Sequence, residues 1–245
     1  MKRVVISFVV LTAVVPCAGL AENPVYFADS NLKAAVEEAL GVSNPTPADM
    51  LGLIGGLSTE MYPISNLTGL EYATNLVSLN LRSTQTYGVI DLSHLSSLTK
   101  LCALELGGFI MTNDLSPLAT LTHLQSLHLH GCHQVSDLSP LSGMTNLSHL
   151  CFDHGQVNDL SPLSGLTVLR IIWMDDHKIT NISPLSGLTN LNDLELRDNL
   201  ITDISPVLAL PNLSKLHVSG NPLYQEASNL DCLLACATHR GRFFV

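Results

Sequence analysis

Residues 182–203 read ISPLSGLTNLNDLELRDNLITD, and this stretch decides the fold. Its apolar residues fall at Ile182, Leu185, Leu188, Leu191, Leu194, Leu196 and Ile201. Steps of three closed by a step of two fit neither one long helix of period 3.6 nor one long strand of period 2. The pair Leu194 and Leu196 predicts a short strand with alternating faces, and the triplets before it predict tight turns of three residues each. The unit is thus one coil of strand, turn, short helix and turn. A single coil cannot bury its own leucines, so neighbouring coils must stack.

Neighbours are present on both sides. DLSPL begins at 114, 137 and 159, NISPL at 181 and DISPV at 203, in steps of 23, 22, 22 and 22 residues. The coil before the quoted one repeats the register as Leu160, Leu163, Leu166, Leu169, Ile172, Met174 and Ile179. Ser116, Ser139, Ser161, Ser183 and Ser205 each precede a proline, which predicts a serine-capped turn whose first position lacks an amide to satisfy. An earlier coil is longer, with 28 residues from Ile64 to Leu92. It shows an extra triplet through Ala73 and three further residues around Tyr87, and both are expected to bulge from a rim as loops.

The flanks and the charge balance bear on the compartment and the partners. Lys2 and Arg3 precede an apolar run from Val4 to Val15, and Gly19, Leu20 and Ala21 follow, which predicts a signal peptide over residues 1–21. The apolar run is shorter than the roughly 20 residues of a membrane span. Export to the periplasm, cell surface or medium is expected. Without residues 1–21 the chain has 9 basic and 21 acidic residues, which argues against nucleic acid as partner. Cys102, Cys132, Cys151, Cys232 and Cys236 remain, an odd number whose spacing matches no disulfide framework or zinc motif.

The units read above resemble those of the bacterial internalin-like leucine-rich-repeat proteins. The resemblance implies an α/β solenoid, a horseshoe or curved rod with a parallel sheet on its concave face, short 3₁₀ or irregular segments on its convex face and a cap at each end. It implies a helical N-terminal cap over residues 22–53, about seven or eight coils over 54–220 and a closing cap over 221–245. Leu32, Ala35, Val36, Ala39 and Leu40 line one face of a helix that Asp29 or Ser30 can start and Gly41 can end. Thr46 and Asp49 have capping-box spacing. The closing cap is expected to hold a helix and a strand near residues 240–245. The family's asparagine in the turn after each strand is present at Asn199 and Asn221, whereas Thr84, Gly155 and His177 stand at equivalent positions. Less regular turns are expected between Thr84 and His177.

Function is expected on the concave face, where residues beside the buried strand leucines point outward. The middle column reads Asn80, Glu105, His128, Cys151, Trp173, Glu195 and His217. Adjacent columns add His130, Asp153, Asp175 and Arg197 on one side and His149 and Asp193 on the other. Strands ~4.8 Å apart bring these residues into one patch. His128, His130, His149, Asp153, Trp173, Asp175, Asp193, Glu195 and Arg197 are the expected contacts for a protein or glycan partner, with the chain's single tryptophan as anchor. His128, His130 and His149 with Cys151 or Asp153 have the residue types of a zinc site. However, same-face residues ~6.5 to 7 Å apart along a strand do not converge easily, so no metal or cofactor is assigned. A metal-dependent enzyme at this patch and a purely structural envelope component are alternatives. No nucleophile elbow, phosphate loop or HExxH appears, and a non-enzymatic, monomeric binding protein is the reading.

Overall fold

The computed structural model describes residues 22–59, 63–110, 113–223 and 242–244, with the side chains of 83–88, 108–110 and 242–244 left out. The expected leader at 1–21 and the expected cap helix within 224–241, with Cys232 and Cys236, lie outside the described residues.

Among the described residues, nine strands form one parallel sheet in chain order. They are β1 Gly56–Ser58, β2 Ser78–Gly88, β3 Ala103–Ile110, β4 Ser126–His130, β5 His149–Asp153, β6 Ile171–Trp173, β7 Asp193–Glu195, β8 Lys215–His217 and β9 Arg242–Phe244. Leu127 and Leu129 point into the core from β4, while Ser126, His128 and His130 face outward. Register is constant from β3 to β8, so Leu104, Leu127, Leu150, Ile172, Leu194 and Leu216 form one buried column. Each such side chain contributes ~1.5 to 3 kcal/mol on burial, and a one-residue slip of a strand would turn its leucines to solvent.

Opposite the sheet, the leucine triplets follow the hydrogen bonds. Amides of Leu163, Leu166 and Leu169 bond to the carbonyls three residues earlier at 2.9–3.0 Å. A tight turn is thereby closed at every third residue, and the leucine there points inward. The segments Leu92–Leu95, Ser116–Thr120, Ser139–Leu141, Ser161–Leu163 and Ser183–Gly187 are 3₁₀-helical. The serines do not cap these turns. The acidic residue or asparagine two positions earlier accepts the serine amide instead: Asp114, Asp137, Asp159, Asn181 and Asp203 at 2.7–2.9 Å. A short Asx side chain reaches the amide two residues on more directly than a hydroxyl can.

The N-terminal helix α1 (Ser30–Leu40) is capped by Asp29, which accepts from the amides of Asn31 and Leu32, and ends at Gly41 in the left-handed region at φ 65°. The other Asp29 oxygen takes the amide and hydroxyl of Ser65 at 2.7 and 2.8 Å and so fastens α1 to the first coil. Thr46 and Asp49 form the capping box of α2 (Pro47–Met50). Ala39 is exposed instead of joining Leu32, Ala35 and Val36 in the core.

Two sequence expectations about insertions change. Pairing of Gly56 with Ser78 makes the first coil 22 residues long, so the triplet through Ala73 is not an insertion. Leu67 occupies the place of Leu92, and Ile64 belongs to the preceding turn. The residues around Tyr87 are a true insertion, yet they lengthen β2 instead of looping out. The ladder shifts register between Arg82 and Tyr87 and resumes as Tyr87 opposite Phe109 and Gly88 opposite Ile110.

The turns after β4 to β8 are more regular than expected, whereas the register shift between Arg82 and Tyr87 leaves the turn at Thr84 irregular, as expected. His154, Asp176 and Asp198, one coil apart, have φ of 59°, 56° and 53°, and Gly131 and Gly220 share the left-handed region. One position after Asp198, the buried Asn199 accepts from the Ile179 amide at 3.1 Å and donates to the Met174 carbonyl at 2.8 Å. Asn221 repeats both bonds with Ile201 and Leu196. His177 does the same one coil earlier: Nε2 donates to the Phe152 carbonyl at 2.8 Å and Nδ1 accepts from the Val157 amide at 3.4 Å. Imidazole thus replaces the asparagine amide, at the cost of volume. Gly155 supplies the room, because a Cβ there would sit 2.5 Å from the His177 ring and 2.7 Å from Phe152 Cζ.

Candidate functional site

The outward side chains of β2 to β8 share one surface in the register read from sequence. Asn80 lies opposite Glu105, then His128, Cys151, Trp173, Glu195 and His217. Their burial differs. Trp173 is 38% exposed, so it faces solvent and is not a core residue. Lys215 Nζ lies 5.6 Å from the centre of its ring, within cation–π range.

Glu195 departs from expectation as an exposed contact: only 6% of it is accessible. Arg197 Nη2 and Lys215 Nζ close over its carboxylate, and His217 Nδ1 lies 3.6 Å away. Arg197 shares its side of the sheet two residues on, and Lys215 reaches in from β8. Glu195 therefore organises these cations from beneath. Arg197 also bonds to Asp175 at 2.9 Å, and Lys215 to Asp193 at 3.2 Å. The hydrogen bond to Glu195, before the others, raises the Lys215 pKa and keeps its charge fixed.

The histidine half of the patch lies over β3 to β5. Imidazole rings of His128 and His130 stand edge to face, 5.8 Å apart. His130 Nδ1 and Asp153 Oδ1 are 3.1 Å apart, and this bond, chiefly, lowers the Asp153 pKa. Burial lowers the His128 pKa against the opposing pull of Glu105. Cys151 is covered by its neighbours, and burial followed by the nearby carboxylates pushes its thiol up to about 12. Without a metal it is accordingly a protonated, covered thiol. His149 turns toward the strand entry, with Nδ1 2.7 Å from Ser148 Oγ, and lines an open concavity with Arg170, Ile171, Asn190, Asn192 and Asn212. Among the described residues the group whose ligand atoms converge is Glu105, His128 and His130, with Glu105 in place of His149 and Cys151. Ligand atoms of Glu105, His128 and His130 all lie within 4.8 Å of one another. The convergence that strand spacing disfavoured arises because the rings tilt and Glu105 enters from β3.

Glu105 and Lys215 were the residues sequence reasoning passed over. Glu105 stood in the middle column beside His128, and Lys215 is paired with Asp193 in the ladder; the reach of both side chains was hidden. At the strand exits, His154 bonds to Asp176 at 2.8 Å, and that bond is the main cause raising its pKa.

Several solved structures resemble this one. Internalin C2 of Listeria monocytogenes is 32% identical, with a TM-score of 0.77, the match covering 89% of this chain and 92% of that one. Internalin F of the same organism is 30% identical, with a TM-score of 0.57 and coverage of 87% and 76%. The functional domain of InlJ, also from L. monocytogenes, is 21% identical with a TM-score of 0.51 over 84% of this chain and 54% of that one, a likeness of fold alone. No family model and no curated protein sequence matches the chain.

Proposed function

The chain belongs to the internalin family of leucine-rich-repeat proteins, and from that premise we propose that it is exported and binds a protein partner on the concave face around Trp173. The observation that carries this reading is the exposure of the chain's one tryptophan in the middle of the sheet. Trp173 is steadied by Lys215 and flanked by paired charges at Asp175, Arg197 and Asp193. An aromatic held in this way loses little entropy on docking and buries a large area, as binding anchors do. His128, His130, His149 and Asp153 extend the surface toward β4. The stacked solenoid supplies a rigid platform, and no described helix is long and apolar enough to cross a membrane. A glycan would use the same aromatic and polar groups. The chain acts as a monomer, each concave face serving one partner.

The test uses protein recovered from the medium or envelope, where loss of residues 1–21 gives a mature start at Glu22 by intact mass. Proteins captured from cognate surface extracts by the wild type are compared with those captured by Trp173→Ala and by the convex control Thr189→Ala. Trp173→Ala is expected to lose ~2 kcal/mol or more of affinity for the captured partner while keeping its fold, and Thr189→Ala to lose none. A Trp173→Ala protein that captures the same partner with unchanged affinity defeats the proposal.

A further inference from the structure

We propose that the concave face holds a divalent transition-metal ion, with Zn²⁺ as the reference case, between Glu105, His128 and His130. Their ligand atoms lie within 4.8 Å of one another, and all three residues are half-buried. Tetrahedral zinc with bonds near 2.1 Å sets its ligand atoms about 3.4 Å apart. The difference is at most about 1.4 Å for any pair, the scale of a side-chain rotation. All three residues stand on paired strands, with Glu105 opposite His128 in register and His130 two residues along the same face of β4. A site built on a sheet is held more firmly than one built on loops.

The surrounding groups orient the ligands. Asp153 Oδ1 sits 3.1 Å from His130 Nδ1, which leaves Nε2 of that ring as its donor to a metal. A carboxylate behind a ligating imidazole fixes its tautomer and strengthens it as a donor. Asn80 Nδ2 holds Glu105 at 3.2 Å, and Arg82 Nη1 lies 3.4 Å from its second oxygen. Two imidazoles and one carboxylate favour zinc, nickel, cobalt or copper over the oxygen-preferring calcium and magnesium. Three protein ligands leave a coordination position open toward the concave side. Trp173 lies two strands away, so the metal site does not depend on a partner at the tryptophan.

The test is calorimetric titration of the chelator-treated mature chain with ZnCl₂, repeated with CoCl₂ to read coordination from visible absorption. The wild type is expected to take up one Zn²⁺ at this site, to melt at a higher temperature with it and to show tetrahedral cobalt bands. Glu105→Gln, His128→Ala and His130→Ala are each expected to weaken binding at least tenfold, and Asp153→Asn on the order of tenfold through orientation alone. His149→Ala and Trp173→Ala should bind as the wild type does. Glu105→Gln preserves side-chain shape and decides the matter if a histidine variant fails to fold. Failure of the wild type to bind Zn²⁺, or wild-type affinity in Glu105→Gln and the folded histidine variants, overturns the proposal.

Discussion

The convex arc and the concave sheet are built from the same coils but carry opposite kinds of sequence. On the arc, the same bonds recur from coil to coil: an Asx side chain to the amide two residues on, then triplet turns that bury leucines. On the sheet, one column passes through Asn80, Glu105, His128, Cys151, Trp173, Glu195 and His217 without repeating a chemistry in adjacent strands. Identical geometry with repeated residues marks positions that hold the coil together. Identical geometry with varied residues marks positions released from that duty. The turns after the strands, where His177 replaces asparagine, belong with the arc.

The largest effect should come from the turn. His177→Ala leaves the buried Val157 amide and Phe152 carbonyl without partners, an expected loss of about 3 kcal/mol in urea unfolding with little change in Zn²⁺ affinity. A loss confined to binding would move His177 from the structural to the functional class. Next is Gly155→Ala, whose Cβ meets the His177 ring and Phe152 and should cost ~1 to 3 kcal/mol. In the His177→Asn background the same change should cost much less, because the smaller amide vacates the space. Additive losses in that double-mutant cycle would show that the two sites do not share it.

A smaller, pH-dependent effect separates two histidines. Burial lowers the folded-state pKa of His177 below its ordinary 6.5, so its contribution is complete above about pH 6.5 and declines as pH falls below it. His154 has the opposite sign: its pKa is raised, so its contribution is full below 6.5 and is lost as pH rises through the folded value. The stability difference between wild type and His177→Asn, followed from pH 8 to pH 5, isolates the first term. It should shift against the wild type on acidification, and a flat difference would mean that His177 is not held neutral. The smallest stability effect belongs to Trp173→Ala, expected within ~0.5 kcal/mol of wild type because the ring is partly exposed.

Much of this is legible in the sequence. The period of the leucines specified strand, turn and arc, and it placed Trp173, His128 and His130 on one face, because side-chain direction in a strand alternates and stacked coils inherit one another's register. Asn199 and Asn221 were recognisable as turn residues, but His177 looked like a defect, since one-dimensional spacing does not reveal that an imidazole can span the same two backbone groups. The serines before proline looked like caps because hydroxyls are good caps, yet the Asx residue two positions earlier had the shorter reach.

The sequence by itself determined the repeat, its register and the identity of the residues on the concave face, all of which follow from local periodicity. Only the tertiary structure decided which of those residues are accessible and which converge. Glu195 sinks beneath Arg197 and Lys215, Cys151 is covered by its neighbours, and Glu105 leans toward His128 and His130. The physical reason is that a period fixes the direction in which a side chain leaves the backbone. Its end point depends on the length, charge and volume of side chains some twenty residues away, brought alongside by stacking.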